Sequence, residues 1–314
     1  MGSISKRLLV SLALLSCCVL STAQSTVIDL SSYNNVYYVS TTGDDTLNTG
    51  TAANPFATVD RAISAAASTG DAIFIGGGEF DITNTGANNF GDSGLNNDGK
   101  DVDFIGTPNE TVFKIDGTAT TSRDLHFYSG KGFSRVYGIT FVRDSNNRAT
   151  NYMNAFFGFG TVQGEFYNSV FKSVNSNVIG LTYDNTNTLD VSVFNSVFDV
   201  EVDFSSSYSG RNLQLFNSVS NKSFLQSDGN TYNSVLSNVT FDEDYNITSD
   251  ASFWQDAGVG FDRDGSQADL GVYGSTYSWA AVQVPSPSTL VIVALALLSL
   301  SLRSKKAAKA AFPL

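Results

Sequence analysis

Five basic residues, Arg123, Lys131, Arg135, Arg143 and Arg148, crowd one short stretch of a chain that is otherwise strongly anionic. A cation can neutralise a substrate carboxylate, and a lysine or arginine can take the proton beside it, so the cluster suits elimination chemistry on an acidic polysaccharide. Arginine also pairs with carboxylate through two parallel hydrogen bonds. On this reading Arg123, Lys131 and Arg143 are the candidate catalytic groups, and Arg135, Arg148 and His126 are the candidate substrate-binding groups. Asp124 and Asp144, each adjacent to one of these arginines, would hold calcium or form ion pairs. The alternative gives the whole set to surface ion pairing in a protein with an excess of acids.

His126 is the chain's one histidine, which excludes a two-histidine metal site and makes it the sole histidine available to a Ser-His-Asp triad. No Gly-x-Ser-x-Gly elbow or phosphate-cradling glycine loop accompanies it. Asp262, Asp264 and Asp269, with Gly265 between them, have part of the spacing of a calcium loop but lack the closing glutamate. They read as a capping turn, with bound calcium as the alternative; no other cofactor is suggested.

These groups must be carried by repeating short strands. Asn168-Ser169-Val170-Phe171, Asn195-Ser196-Val197-Phe198, Asn217-Ser218-Val219 and Asn238-Val239-Thr240-Phe241 recur at steps of 27, 22 and 21 residues, the scale at which one supersecondary unit stacks on the next. Asparagine at a repeated turn can bond its neighbours in a ladder, which is the role expected here. Earlier rungs are traced by Val102 to Ile105, Val112 to Ile115, Leu125 to Phe127 and Val136 to Phe141, and alternation is visible in Val191, Val193 and Val197. Residues 83–100, rich in Asn, Gly and Asp, read as a long loop or irregular coil.

Near the start, Val36-Tyr37-Tyr38-Val39-Ser40 is a strand ending at Gly43-Asp44-Asp45. Val59, Ala62, Ile63 and Ala66 then make one apolar helical face, and Ala72-Ile73-Phe74-Ile75 is a buried-type strand before three glycines. Such a helix would cover the open end of a solenoid.

This stretch, Tyr-Tyr-Val-Ser through Gly-Asp-Asp, Asn54-Pro55-Phe56-Ala57-Thr58-Val59 and Gly70-Asp71-Ala72-Ile73, resembles the opening of pectin-lyase-like parallel β-helix proteins. Residues 262 to 274 resemble the closing segment of the same exported proteins. The resemblance spans roughly residues 36 to 274 and implies fold much more strongly than activity. The expected class is all-β: a right-handed, single-stranded parallel β-helix with a short amino-terminal capping helix.

The ends have other uses. Residues 1–23 have the basic start, apolar run and small residues of a secretory signal, and both cysteines lie within it, so the mature chain would form no disulfide. Val284-Pro285-Ser286-Pro287-Ser288-Thr289, a short apolar run from Leu290 to Leu302 and Arg303-Ser304-Lys305-Lys306 resemble a PEP-CTERM sorting signal. Ser286 stands where glutamate is usual, and eight residues follow the basic cluster. The resemblance implies an exosortase-type processing enzyme as a partner and delivery to the cell surface or its polysaccharide matrix. A plain tail anchor and a GPI signal are the alternatives, so any membrane contact is expected through this tail alone. The expected organisation is signal 1–23, β-helix domain 24–284 and tail 285–314.

Removing both ends takes two and four basic residues and no acid, which moves the net charge from −12 to −18. That balance disfavours nucleic acid and anionic lipid as partners. The expected function is that of an exported surface or matrix protein that interacts with polysaccharide without turning it over. The competing expectation is a polysaccharide lyase or glycosidase acting on a uronate polymer.

Overall fold

The structure is a computed structural model that describes residues 28–67, 69–82, 95–96, 100–116, 127–128, 133–144, 152–154, 162–173, 178–180, 189–199, 201–203, 211–222, 224–225, 231–233, 235, 237–260, 262 and 266–274. The chain divides into Met1–Ala281 and Val282–Leu314, and the second unit lies wholly outside the described residues. No helix among the described residues is long and apolar enough to cross a membrane.

Strands build the first unit, and all of them pair in parallel. A large sheet holds β1 (Val36–Val39), β2 (Thr69–Ile75), β5 (Asp101–Gly106), β8 (Phe133–Tyr137), β11 (Val162–Tyr167), β14 (Leu189–Phe194), β17 (Arg211–Phe216) and β20 (Thr231–Asn233), in that spatial order. A second sheet holds β3 (Gly78–Asp81), β6 (Thr111–Asp116), β9 (Thr140–Asp144), β12 (Val170–Ser173), β15 (Val197–Asp199) and β18 (Val219–Ser220). The third holds β10 (Tyr152–Asn154), β13 (Val178–Gly180), β16 (Glu201–Asp203) and β19 (Phe224–Leu225); β4 (Leu95–Asn96) and β7 (Phe127–Tyr128) pair separately. From β2 onward the chain visits the large sheet, then the second, then the third or the small pair, and returns. That path is a parallel β-helix with one coil per circuit, and right-handed crossover is the hand that such connections take almost without exception.

Rungs shorten along the axis while their strands stay in register. Phe104 pairs with Val136, and Phe166, Val193, Leu215 and Tyr232 follow, at offsets of 32, 30, 27, 22 and 17 residues. The residues lost lie between strands, where chain length can change without moving a column of side chains.

Strand alternation sends one set of residues inward. Phe104, Val136, Phe166, Val193 and Leu215 form one buried column, and Phe113, Phe141, Phe171 and Phe198 form another. In the second column the rings of Phe141 and Phe171 stack at 5.4 Å, and those of Phe171 and Phe198 at 5.0 Å. Burying each side chain stabilises the fold by about 2–3 kcal/mol.

The corner from the large sheet to the second sheet is a single left-handed residue. Asn168, Asn195 and Asn217 hold it at φ 47°, 46° and 50°, and Gly138 holds it one rung earlier at 63°. Asparagine and glycine occupy this region at least cost. The run from Val136 to Phe141, read as one rung in the sequence, is therefore two strands broken at Gly138.

The serines that follow the asparagines form a ladder. The Ser169 amide donates to Ser196 Oγ at 3.2 Å, and the Ser196 amide donates to Ser218 Oγ at 3.2 Å. Each of the three hydroxyls donates to the carbonyl two residues back. As expected of neighbouring corner asparagines, Asn217 Nδ2 donates to Asn195 Oδ1, at 3.5 Å. Their amides point to the closing segment, which runs back across the corners in reverse order. Asn217 Nδ2 donates to Val259 O, Asn195 Nδ2 to Asp269 O, and Asn168 Nδ2 to the carbonyls of Val272 and Gly274.

Beneath this strap Val170, Val197, Val219 and Val239 pack with Tyr245, Leu270 and Val272, forming a second apolar cluster. Val197 therefore does not continue the inward alternation of Val191 and Val193, which belong to the main core.

Helix α1 (Val59–Ala65) buries Val59, Ala62 and Ile63, with Ala66 just beyond it, as its spacing predicts. Thr58 caps it by accepting from the Arg61 amide at 3.2 Å, and Lys100 Nζ closes the other end on the carbonyls of Ile63 and Ala66 at 2.6 and 3.0 Å. Residues 83–100 are described only at β4 and Lys100.

Asn217 also accepts the Val259 amide at 2.7 Å, so Asn217→Ala loses both strap hydrogen bonds and strains the backbone. We expect it to destabilise the protein by about 2–4 kcal/mol in urea unfolding, with Asn217→Gly recovering the backbone part alone. Equal losses in the two variants would show that the corner conformation contributes nothing.

Candidate functional site

Stacking turns the outer face of the large sheet into rows. Asp103, Arg135, Glu165, Ser192 and Gln214 stand in one register row, with Phe133, Gln163 and Asp190 in a parallel row. A third row, Phe74, Ile105, Tyr137, Tyr167, Phe194 and Phe216, runs on the corner side.

In the aromatic row the rings stack on one another. Tyr137 and Tyr167 lie 5.0 Å apart at 13°, Tyr167 and Phe194 4.8 Å at 9°, and Phe194 and Phe216 4.8 Å at 7°. Those spacings are the strand separation itself. The faces of these rings are turned to one another, so the row offers edges, not a stacking platform, to a ligand lying on the sheet.

The central row carries the charges. Asp103 is buried and accepts from Tyr33 Oη at 2.7 Å and from the Arg135 amide at 3.0 Å. Arg135 Nη1 lies 3.5 Å from Asp103 Oδ2, and Arg135 Nε donates to Glu165 Oε2 at 3.1 Å. Tyr167 Oη donates to the same Glu165 oxygen at 3.0 Å. One rung back, Asp101 Oδ1 accepts the Phe133 amide, and the guanidinium carbon of Arg135 sits 5.0 Å from the Phe133 ring centre.

Burial pushes the Asp103 carboxyl above its usual range, and its bonds to Tyr33 and Arg135 offset part of that rise. Burial works against the Arg135 charge, but Asp103, Tyr137 and Glu165 outweigh it and raise its pKa. Arg135 is thereby fixed as a permanent cation with its Nε and Nη1 edges engaged, which is the opposite of what a proton-abstracting base requires.

Of the residues singled out in the sequence, Arg135 stands in this row with its side chain 45% exposed. Arg143 follows on the same rung but in β9 of the second sheet, paired in backbone with Ile115 and Ser173, so the two arginines occupy different sheets. Arg123, His126, Lys131 and Arg148 lie outside the described residues, as does Asp264. Asp262 Oδ2 accepts the Asp269 amide at 3.0 Å, and Asp269 Oδ1 accepts the Asp256 amide at 2.7 Å, so both carboxylates close turns of the strap. Among the described residues no group of three His, Cys, Asp or Glu side chains is placed to hold a metal ion.

A smaller charged group lies on the second sheet. Lys172 Nζ is 3.9 Å from Asp199 Oδ2, the Asn221 amide donates to the other Asp199 oxygen, and the ring centre of Tyr245 is 5.8 Å from Lys172 Nζ. Sequence reading missed Asp103, Glu165, Tyr33 and Tyr167. The signal was present in the recurring triplets Asp103-Phe104-Ile105, Arg135-Val136-Tyr137 and Glu165-Phe166-Tyr167.

Fold and site thus define a parallel β-helix whose large sheet holds, on its outer face, one arginine between two carboxylates. No family model matches this chain, and no curated protein does. Among solved structures, the crystal structure of pectate lyase Pel9A aligns at 15% identity over 79% of this chain and 97% of that one, with a TM-score of 0.26. A likeness of that degree carries no argument about fold or activity.

Because Asp103 binds its proton more tightly folded than unfolded, its contribution to stability falls as pH rises from the ordinary carboxylate range through its raised folded value. Asp103→Asn removes that component. The stability difference, wild type minus variant, measured by urea unfolding between about pH 3.5 and 7, is expected to decrease with pH; a flat difference would refute the buried-carboxylate account.

Proposed function

We propose that this is an exported β-helix protein of the cell surface or extracellular matrix that interacts with polysaccharide and does not turn it over. The observation that carries this reading is the Asp103–Arg135–Glu165 row. The exposed face presents a cation already bracketed by two carboxylates, set in repeating polar rows. That arrangement can hydrogen-bond a polymer laid across the rungs, and its described arginine is already engaged by carboxylates.

The secretory signal and the PEP-CTERM-like tail support the address: export, processing by an exosortase-type enzyme and presentation on the envelope. The acidic balance after removal of both ends supports a soluble outer domain, and calcium held by Asp262, Asp264 and Asp269 is retained as the one cofactor proposal.

Incubation of the purified protein with acidic and neutral polysaccharides, with and without calcium, is expected to give retention on immobilised glycan with neither unsaturated-product absorbance nor new reducing ends. Absorbance with a uronate polymer, abolished by Arg143→Ala, would overturn the reading in favour of a lyase. Calcium-dependent retention lost in Asp264→Asn would support the cation site.

A further inference from the structure

Part of the outer surface of the two larger sheets is already covered. On the second sheet, Val170, Val197 and Val219 lie beneath Leu270 and Val272 of the closing strap. On the large sheet the first rungs lie beneath the segment from Ile28 to Tyr33, which packs on Ala72, Ile105 and Tyr137 and bonds Asp103. The polar rows beyond that cover are exposed or half-buried: Arg135 and Asp190 are exposed, and Gln163, Glu165, Ser192 and Gln214 are half-buried.

Three properties of this stretch bear on what would lie against it. Its rungs repeat at 4.8–5.0 Å, as the stacked rings beside it measure, and one unit of an extended β-1,4-linked hexose chain advances by about one such step. From the Arg135 rung to the Gln214 rung the surface runs for ~15 Å over four rungs, room for one such unit on each. Its side chains are guanidinium, carboxylate, hydroxyl and carboxamide, which match sugar hydroxyls as donors and acceptors. Its one described cation, Arg135, is held between Asp103 and Glu165, so the face carries more carboxylate than guanidinium. A polyuronate would bring one further carboxylate per unit toward Asp103, Glu165 and Asp190 in a protein whose mature charge is −18, and like charges so placed repel.

We propose that the outer face of the large sheet, from the Arg135 rung to the Gln214 rung, binds an uncharged, extended β-1,4-linked polysaccharide running along the solenoid axis. The inference rests on the polysaccharide-binding reading above and adds the surface and the chemistry of the chain. The polymer lies over Gln163, Glu165, Ser192 and Gln214, with the edges of Tyr167 and Phe194 beside it, and each sugar meets one rung. Affinity comes from repetition of weak contacts, as in any multivalent array, so short oligosaccharides bind far more weakly than the polymer.

The test uses the full chain and two insertions of bulk and charge, Ser192→Arg in the centre of the face and Thr240→Arg on an exposed position away from it. Both variants are first required to match the wild type in urea unfolding. Their retention is then measured on microcrystalline β-1,4-glucan, on polygalacturonate and on chitosan. Expected are retention of the wild type on the neutral glucan, at least a tenfold loss with Ser192→Arg, and no change with Thr240→Arg. If Ser192→Arg unfolds more readily, Gln214→Glu replaces it under the same requirement, with the same loss expected. Retention on the neutral glucan that neither face variant changes would overturn this surface while leaving the polysaccharide reading intact. Preference for polygalacturonate or chitosan would overturn the uncharged partner. No retention on any of the three would overturn both readings.

Discussion

One left-handed residue at each corner between the large sheet and the second sheet is the constraint on which the other contacts depend. A coil that changes sheet within two residues, one of them left-handed, has no freedom to slip, because strand register is fixed on both sides of the turn. Asn168, Asn195 and Asn217 satisfy this geometry, and Gly138 satisfies it where no side chain is needed. With the corner fixed, the next residue, serine, places its hydroxyl between the carbonyl behind it and the amide of the rung before. The corner also aligns the columns of phenylalanine inside and of aromatic residues outside.

Alignment has a cost that the closing segment meets. The position two residues after Asn168, Asn195 and Asn217 faces outward and is valine each time, which would leave an apolar stripe along the solenoid. The strap from residue 254 to 274 covers that stripe, and the corner asparagines supply the amides that hold it. The same side chain therefore does two jobs: its preference for positive φ shapes the rung, and its carboxamide recruits the chain's own end. Asparagine fits both requirements, whereas glycine fits only the first, which accounts for Gly138 lying one rung before the reach of the strap at Gly274 and Asn168.

Much of this was legible in the sequence. The Asn-Ser repeat gave the coil and the scale of its rungs, and the i, i+3, i+4 spacing of Val59, Ala62 and Ile63 gave the capping helix. The repeat was hidden upstream because glycine replaces asparagine at 138, so Val136 to Phe141 looked continuous. Val197 misled for a related reason: alternation is broken at each corner, and a valine beyond it faces the strap instead of the core. The charged row was harder still. Asp103, Arg135 and Glu165 differ in type and stand 32 and 30 residues apart, so the triplets that carry them join into a row only once register is known.

That row also bears on what the face can do. A solenoid brings together side chains from successive coils at one fixed spacing, and chemistry at a point needs groups that differ and converge, whereas adhesion to a polymer needs groups that repeat. Here the differing groups, Asp103, Arg135 and Glu165, are turned on one another and held by Tyr33 and Tyr167, and Arg135 holds its proton more tightly than a free guanidinium. What remains toward solvent beyond them, Ser192 and Gln214 in line and Gln163 and Asp190 beside, is modest, polar and periodic. A periodic surface gains from a periodic partner, since each added unit brings contacts without a new entropy cost of association. On the proposed reading the face recognises length and does not turn the polymer over, and its excess of carboxylate over guanidinium disfavours a partner whose own units carry carboxylates.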